Sequence, residues 1–233
     1  MGLTMIPGND FVSDFEVCVY YRGRRVLQTV VPHSQGFRLV APDSPGSPSP
    51  SPGLPDIPLP DVGCLSDQLQ ATYTTKLLQR LAPGVIIRAE QSALWGGRWG
   101  RCHAYWSHSE IPSVGAPGGE LPKEEFAPLL RVQQYTQDLI GYIKGARGSP
   151  DYTLWLCFGE DWPDYQRPWK KKLIMVQVIP KVLETLYEMS QHGGSSSLQG
   201  AEPDLRISDS LQGKSLLEFL EDWEQEMDAE NYG

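Results

Sequence analysis

Histidine and cysteine are scarce in this chain, with four of each in 233 residues, and no two cysteines form a Cys-x-x-Cys pair. Zinc and other His/Cys metal sites need clustered ligands at defined spacing, so no metal is expected. Cys102 and His103 are adjacent, but neighbours on a strand point to opposite faces. Three cysteines (Cys18, Cys102, Cys157) stand in apolar, strand-like runs, the setting of buried reduced thiols in a reducing compartment. No apolar run approaches the roughly 18 residues of a membrane span. The first residues carry no basic segment leading into an apolar run, so no secretory signal is read. Myristoylation of Gly2 is also excluded, because it wants Ser or Thr where Ile6 stands. Residues 1–13 read as a disordered or added N-terminus, with Met1-Gly2 either natural or an added start on a fragment. Phosphate-binding glycine loops, dinucleotide-binding turns, His-Glu-x-x-His and calcium loops are missing, so neither cofactor nor catalysis is expected. A net charge of −9 speaks against nucleic-acid binding by this segment.

That charge is unevenly placed. From residue 201 onward there are ten acidic residues against Arg206 and Lys214, so nearly all of the −9 sits in the tail and residues 1–200 are close to neutral. The tail also holds the serine run Ser195-Ser196-Ser197, the segment Asp204-Leu205-Arg206-Ile207-Ser208 and Ser210. Each phosphate would add roughly −1.5 to −2 charge, which makes a serine-bearing acidic tail suited to switching. A final helix over about 214–231 repeats Leu216, Phe219, Leu220, Trp223 and Met227 on one face, with acids elsewhere. Alone, a helix of this length is marginal, so it needs a docking surface. It is either a permanent part of the core or a lid displaced when nearby serines are phosphorylated.

The body, with 40% hydrophobic residues and seven tryptophans, can fill a substantial core. Residues 15–21 and 24–31 alternate about Arg22-Gly23 and predict a β-hairpin. Residues 37–40 predict a third strand. The stretch 41–61 is dense in proline and Ser-Pro dipeptides and reads as a flexible surface loop unable to form a compact element, with an SH3 ligand or a proline-directed kinase target as the alternatives. Ser66 caps a predicted helix to Leu81 with Leu69, Tyr73, Leu77, Leu78 and Leu81 as its stripe. Strands follow at 85–90, 93–99 and 102–107, then a second Pro/Gly-rich loop at 111–128 and a short strand at 129–132. Helices are expected at about 133–144 and from Pro180 to about 190, with strands at 152–158 and 172–179. Strands and helices do not alternate one to one, so a mainly β sandwich with flanking helices (α+β) is expected rather than a parallel sheet.

One basic set stands out: Arg98, Arg101 and His103 on adjoining strands, Lys123 in the next loop, and Lys170-Lys171-Lys172 before another strand. Arg suits phosphate because its planar fork makes paired, charge-assisted hydrogen bonds. Scattered solvated charge is the plainer account of the same residues.

Several strings then line up with a known family: Phe15-Glu16-Val17, Tyr21-Arg22-Gly23-Arg24, Leu94-Trp95, Gly100-Arg101-Cys102-His103-Ala104-Tyr105-Trp106, Gly148-Ser149-Pro150-Asp151-Tyr152, Phe158-Gly159-Glu160, Leu173-Ile174-Met175-Val176, Gly193-Gly194-Ser195-Ser196-Ser197-Leu198 and Asp204-Leu205-Arg206-Ile207-Ser208. In these the chain resembles the regulatory half of an interferon regulatory factor of the virus-activated kind. That half is an association domain (14–192) followed by an autoinhibitory tail (193–233). The proline-rich loop does not match.

The resemblance implies a β-sandwich of the Smad C-terminal/FHA type. It implies that Ser196, Ser197, Ser208 and Ser210 are phosphoacceptors for a TANK-binding-type kinase. Asp204, Leu205, Ile207 and Ser208 match a polar-Leu-x-Ile-Ser motif shared with innate-immune adaptors. Phosphorylated adaptors would dock on Arg98, Arg101, His103 and Lys123, with Arg22 and Arg24 contributing; after kinase action a second copy would take that patch, giving a homodimer. Release of Leu216, Phe219, Leu220, Trp223 and Met227 would open a surface for a CREB-binding-protein-type coactivator. The resemblance further implies a cytoplasmic resting state and nuclear action after activation, and DNA contact only through a domain absent from this chain. Arg101 departs from a histidine in a close relative, which makes the patch more basic and less pH-sensitive. A phosphopeptide adaptor that never self-associates is the alternative.

Overall fold

Phe15, Val17, Val19 and Tyr21 are fully buried, and this period-two set fixes the inward face of the first strand. The computed structural model describes residues 13–32, 35–192 and 215–231. The strands run β1 Phe15–Tyr21, β2 Arg24–Val31, β3 Gly36–Val40, β4 Asp56–Pro58, β5 Val85–Glu90, β6 Ala93–Arg98, β7 Ala104–Ser107, β8 Gly118–Glu120, β9 Ala127–Arg131, β10 Leu154–Phe158 and β11 Ile174–Pro180. The helices are α1 Gln68–Gln79, α2 Val132–Ile143, α3 Lys181–His192 and α4 Leu216–Asn231. One sheet has the order β2-β1-β11-β10-β7-β8 and the other β4-β3-β5-β6-β9. All strand pairs are antiparallel except β3 with β4. Residues from both sheets and from α2, α3 and α4 share one continuous core, which is the expected sandwich with flanking helices.

The β1–β2 turn has φ of 50° at Arg22 and 77° at Gly23, the doubly positive backbone that suits right-twisted strands. A Cβ on Gly23 would stand 2.9 Å from that of Lys170, so glycine also lets the turn lie against residues 169–171. Ser13 belongs to the body rather than to the N-terminal segment. Its hydroxyl accepts from Val182 N at 3.0 Å while Asp14 O accepts from Lys181 N at 2.9 Å, satisfying the first N–H groups of α3. Pro180 ends β11 opposite Phe15, and the helix opens one residue later.

The loop at 41–61 corrects the sequence expectation. It contains β4, and Arg38 of β3, 1% exposed, reaches into it. Arg38 Nε and Nη2 donate to the two Asp56 oxygens at 2.7 and 2.8 Å, and its other N–H groups reach the carbonyls of Ser47, Pro48 and Pro83. Five donors thus meet five acceptors, which is what a buried guanidinium requires. A proline-rich stretch is held not by apolar burial alone but by a charge behind it.

Three other boundaries shift. Asp67, not Ser66, caps α1, accepting from Leu69 N and Gln70 N. The buried face of α1 is Thr74 and Leu78, while Leu69 and Tyr73 are exposed. The stretch at 111–128 holds β8 and the start of β9, and β7 begins only at Ala104.

Candidate functional site

Arg98 is the last residue of β6, and Arg101 and His103 lie in the β6–β7 connection rather than on adjoining strands. Lys123 follows β8, which belongs to the opposite sheet. After β8 the chain crosses to the second sheet: Leu121 N donates to Ala104 O, Arg98 N to Pro122 O, and Glu124 N to Arg98 O at 2.7 Å. Arg98 and Lys123 therefore sit side by side in a parallel bridge. This is a seam between two sheets, sewn by backbone hydrogen bonds and lined by cations. Gly100 allows the close approach, since a Cβ there would come within 2.3 Å of Leu81 O. The same approach brings in Arg80, whose carbonyl accepts from Cys102 N at 2.9 Å. Arg80 is an exposed cation that sequence reading left out.

Glu120 supplies an anion within the seam. Glu120 Oε1 accepts from His103 Nδ1 and lies 3.8 Å from Arg98 Nη2. Arg98 is only 8% exposed; its Nη1 donates to Gly100 O at 2.7 Å, and its Nε is buried with no partner among the described residues. A buried guanidinium N–H left unpaired is costly, so Arg98 has unused donor capacity. Arg101, His103 and Lys123 are exposed. Burial pushes the Cys102 thiol up to about 11 against the pull of Arg98 and Arg80, so it stays protonated and inert. Nothing in the sequence marked Glu120; it sits in a glycine-rich stretch that reads as loop.

Arg22 and Arg24 are at the same end of the sandwich but not in this seam. Arg22 lies against Gln70 near the start of α1 and donates to Lys171 O, and Arg24 Nη1 donates to Cys64 O at 3.2 Å. Arg80 caps the other end of α1. Ten residues of helix separate these points, about 15 Å. The cations therefore form two groups: Arg98, Arg101, His103, Lys123 and Arg80 at one end of α1, and Arg22 and Arg24 with Lys170 and Lys171 at the other.

Lys172 joins neither group. It is 3% exposed, and its Nζ meets Asp164 Oδ2 at 2.7 Å and Asp161 O at 3.0 Å. The Lys172 hydrogen bond, helped by the N–H groups of Arg167 and Gln166, holds Asp164 down at about 2. A carboxylate lowered in the folded state contributes stability above its ordinary value near 4, and that contribution is lost as pH falls toward 2. Asp164→Asn is therefore expected to lower the urea midpoint at pH 6, with the gap to the parent closing between pH 4 and 2. A gap that holds constant across that range would contradict the pairing.

At the helical layer, Leu216, Phe219, Leu220, Trp223 and Met227 are all buried, Leu220 completely. They lie across α2, where Lys144 Nζ meets Glu221 Oε1 at 2.8 Å and Gln133 donates to Asp228. The apolar stripe is thus a docked face. Ser196, Ser197, Ser208, Ser210, Asp204, Leu205 and Ile207 lie outside the described residues. No cluster able to hold a metal and no helix long and apolar enough to cross a membrane occurs among the described residues.

A two-sheet sandwich whose chemistry is a cationic seam and a helix laid over an apolar face has the build of a protein-association domain. The chain belongs to the interferon regulatory factor family: residues 12–191 match the family model described as Interferon-regulatory factor 3. It is 38% identical to human interferon regulatory factor 3 over 98% of this chain and 54% of that protein. The pig protein of the same name is 39% identical over 89% of this chain and 49% of its own length. The chain thus spans about half the length of the curated relatives it matches. Among solved structures, the crystal structure of the interferon regulatory factor 9 IAD domain superposes with a TM-score of 0.58 at 26% identity, covering 78% of this chain and 89% of that one. A chain from the crystal structure of STAT2 in complex with IRF9 gives the same TM-score at 23% identity, covering 78% of this chain and 99% of that chain, and bears on fold alone. The family is one of transcription regulators and not of enzymes.

Proposed function

We propose that this domain is a phosphorylation-switched dimerisation module whose cationic seam takes a phosphoserine from a second copy or from an innate-immune adaptor. The observation that carries the reading is Arg98 beside Lys123 with an unpartnered, buried Nε and Glu120 as the nearby anion. A phosphate offers three acceptor oxygens and more charge than a carboxylate, so it can displace Glu120 and engage Arg98, His103, Lys123 and Arg101 together. Each such charged hydrogen bond contributes roughly 1.5–3 kcal/mol. Leu205 and Ile207 of the Ser208 segment would add apolar specificity. The second cationic group, Arg22 and Arg24, stands about one helix length away and suits the acidic residues that flank the phosphoserine.

In this reading a TANK-binding-type kinase modifies Ser196, Ser197, Ser208 or Ser210, the added charge weakens docking of the acidic α4, and the uncovered face receives a CREB-binding-protein-type coactivator. Resting protein is cytoplasmic and the activated dimer acts in the nucleus, with DNA read by a domain outside this chain. Light scattering before and after kinase treatment tests it. Mass should double in the parent, Ser208→Ala should stay monomeric, and Ser197→Ala should dimerise less. A treated parent that binds adaptor phosphopeptide yet keeps monomer mass at all concentrations would instead identify a non-associating adaptor domain.

A further inference from the structure

The proline-rich loop, which plays no part in the seam, carries four Ser-Pro dipeptides, at Ser44, Ser47, Ser49 and Ser51. Three of these serines have local roles or none that bears on the fold. Ser44 Oγ donates to Asp43, Ser49 Oγ accepts from Ser51 N, and Ser51 O accepts from Leu54 N. Ser47 differs. Its carbonyl accepts from Arg38 Nη2 at 2.8 Å, so it is part of the latch that fastens the loop to β3. Its hydroxyl is shut from water with no hydrogen-bond partner among the described residues. A buried hydroxyl without a partner opposes folding and is uncommon, so its presence asks for a role outside the closed state.

We propose that Ser47 is a phosphoacceptor for a proline-directed serine/threonine kinase, and that phosphate there releases the loop from Arg38 and opens the β4 edge of the second sheet. The hydroxyl is reachable only when the loop lifts, so the kinase acts on the open form. In the transfer, the Ser47 oxygen attacks the γ-phosphorus of a nucleoside triphosphate. The new O–P bond replaces the bond to the departing nucleoside diphosphate, and the hydroxyl proton passes to the kinase's base. Closure is then blocked. All five Arg38 donors are already used, and a group of roughly −1.5 to −2 charge would have to return to a dry site beside the Asp56 carboxylate. Opening breaks the hydrogen bonds from Arg38 N to Pro55 O and from Leu59 N to Val40 O, and it exposes Ile57 and Leu59, which are 5% and 1% exposed when closed. The modification is thus a conformational trap.

The test uses the full chain carrying S44A, S49A and S51A, so that Ser47 is the loop's remaining Ser-Pro serine. It is treated with a proline-directed kinase and MgATP, mapped by mass spectrometry and followed by amide exchange. Phosphate should appear on Ser47, exchange at Arg38 and Leu59 should rise by about tenfold or more, and core strands such as β11 should stay protected. Adding Ser47→Ala should remove the response and leave the untreated fold intact. In the same background Asp56→Asn, which weakens the latch, should speed labelling of Ser47. Absence of phosphate on Ser47 in the chain that keeps Asp56, or phosphate there with unchanged exchange at Arg38 and Leu59, would overturn the proposal.

Discussion

Arg98→Ala is expected to abolish kinase-driven doubling of mass while leaving the sandwich folded. The two effects separate because Arg98 contributes little to the resting domain. It makes one side-chain hydrogen bond, to Gly100 O, and holds Glu120 at 3.8 Å, beyond bonding distance. Losing that bond costs about 1 kcal/mol of stability. On the phosphate side the same change removes one or two charged hydrogen bonds, a loss in affinity of about tenfold for one weak bond and up to about ten-thousandfold for two strong ones. Arg98→Lys should fall between, because a point charge replaces a fork. Glu120→Gln should act in the opposite direction, lowering the concentration at which the phosphorylated chain dimerises. Undiminished doubling of mass in Arg98→Ala would remove the seam from the account.

Leu220→Asp is expected to free α4 without kinase. Leu220 is fully buried, and an unpaired carboxylate there is among the most destabilising single changes, about 4 kcal/mol or more. The domain has a cheaper option than bearing that cost, which is to let the helix go. The 16-residue helix is marginal alone, and its polar ties to α2 include a half-exposed Lys144–Glu221 pair and the Gln133–Asp228 contact, both of the weak surface kind. Amide exchange should show α4 unprotected and β1, β10 and β11 unchanged. An amphipathic coactivator-type peptide should then bind the unphosphorylated variant. Glu218→Ala, on the exposed side, should do neither. A variant whose α4 amides stay protected would show that the helix is fixed structure and not a cover.

What could be read in advance follows from range in sequence. The β1–β2 hairpin announces itself through alternation and Arg22-Gly23, and α4 through its apolar stripe, because both signals are local. Strands β4 and β8, three residues each, are invisible for the opposite reason. Their pairing comes from partners far along the chain, and their own residues are proline- or glycine-rich. Arg38 reads as a polar strand residue, yet it is buried because Asp56, eighteen residues on, satisfies it. Lys172 looks like one of three solvated lysines and is instead a buried ion pair. At the seam, residue chemistry alone offered a loose basic set. The family resemblance named Arg98 with His103 and Lys123, and the crossing of the chain after β8 supplies the reason they meet. Neither route pointed to Glu120 or Arg80, since each acquires its place only when two sheets and a helix end converge.

Glu120 also sets a threshold for imitation. The seam already lives with a carboxylate at hand, so another carboxylate arriving from outside offers it nothing new. Aspartate or glutamate written in place of Ser208 would compete as an equal with a resident that is covalently tethered and always present. Only a ligand with more charge and a third oxygen outbids it. On the proposed reading of the seam, acidic look-alikes are therefore poor agonists of this domain.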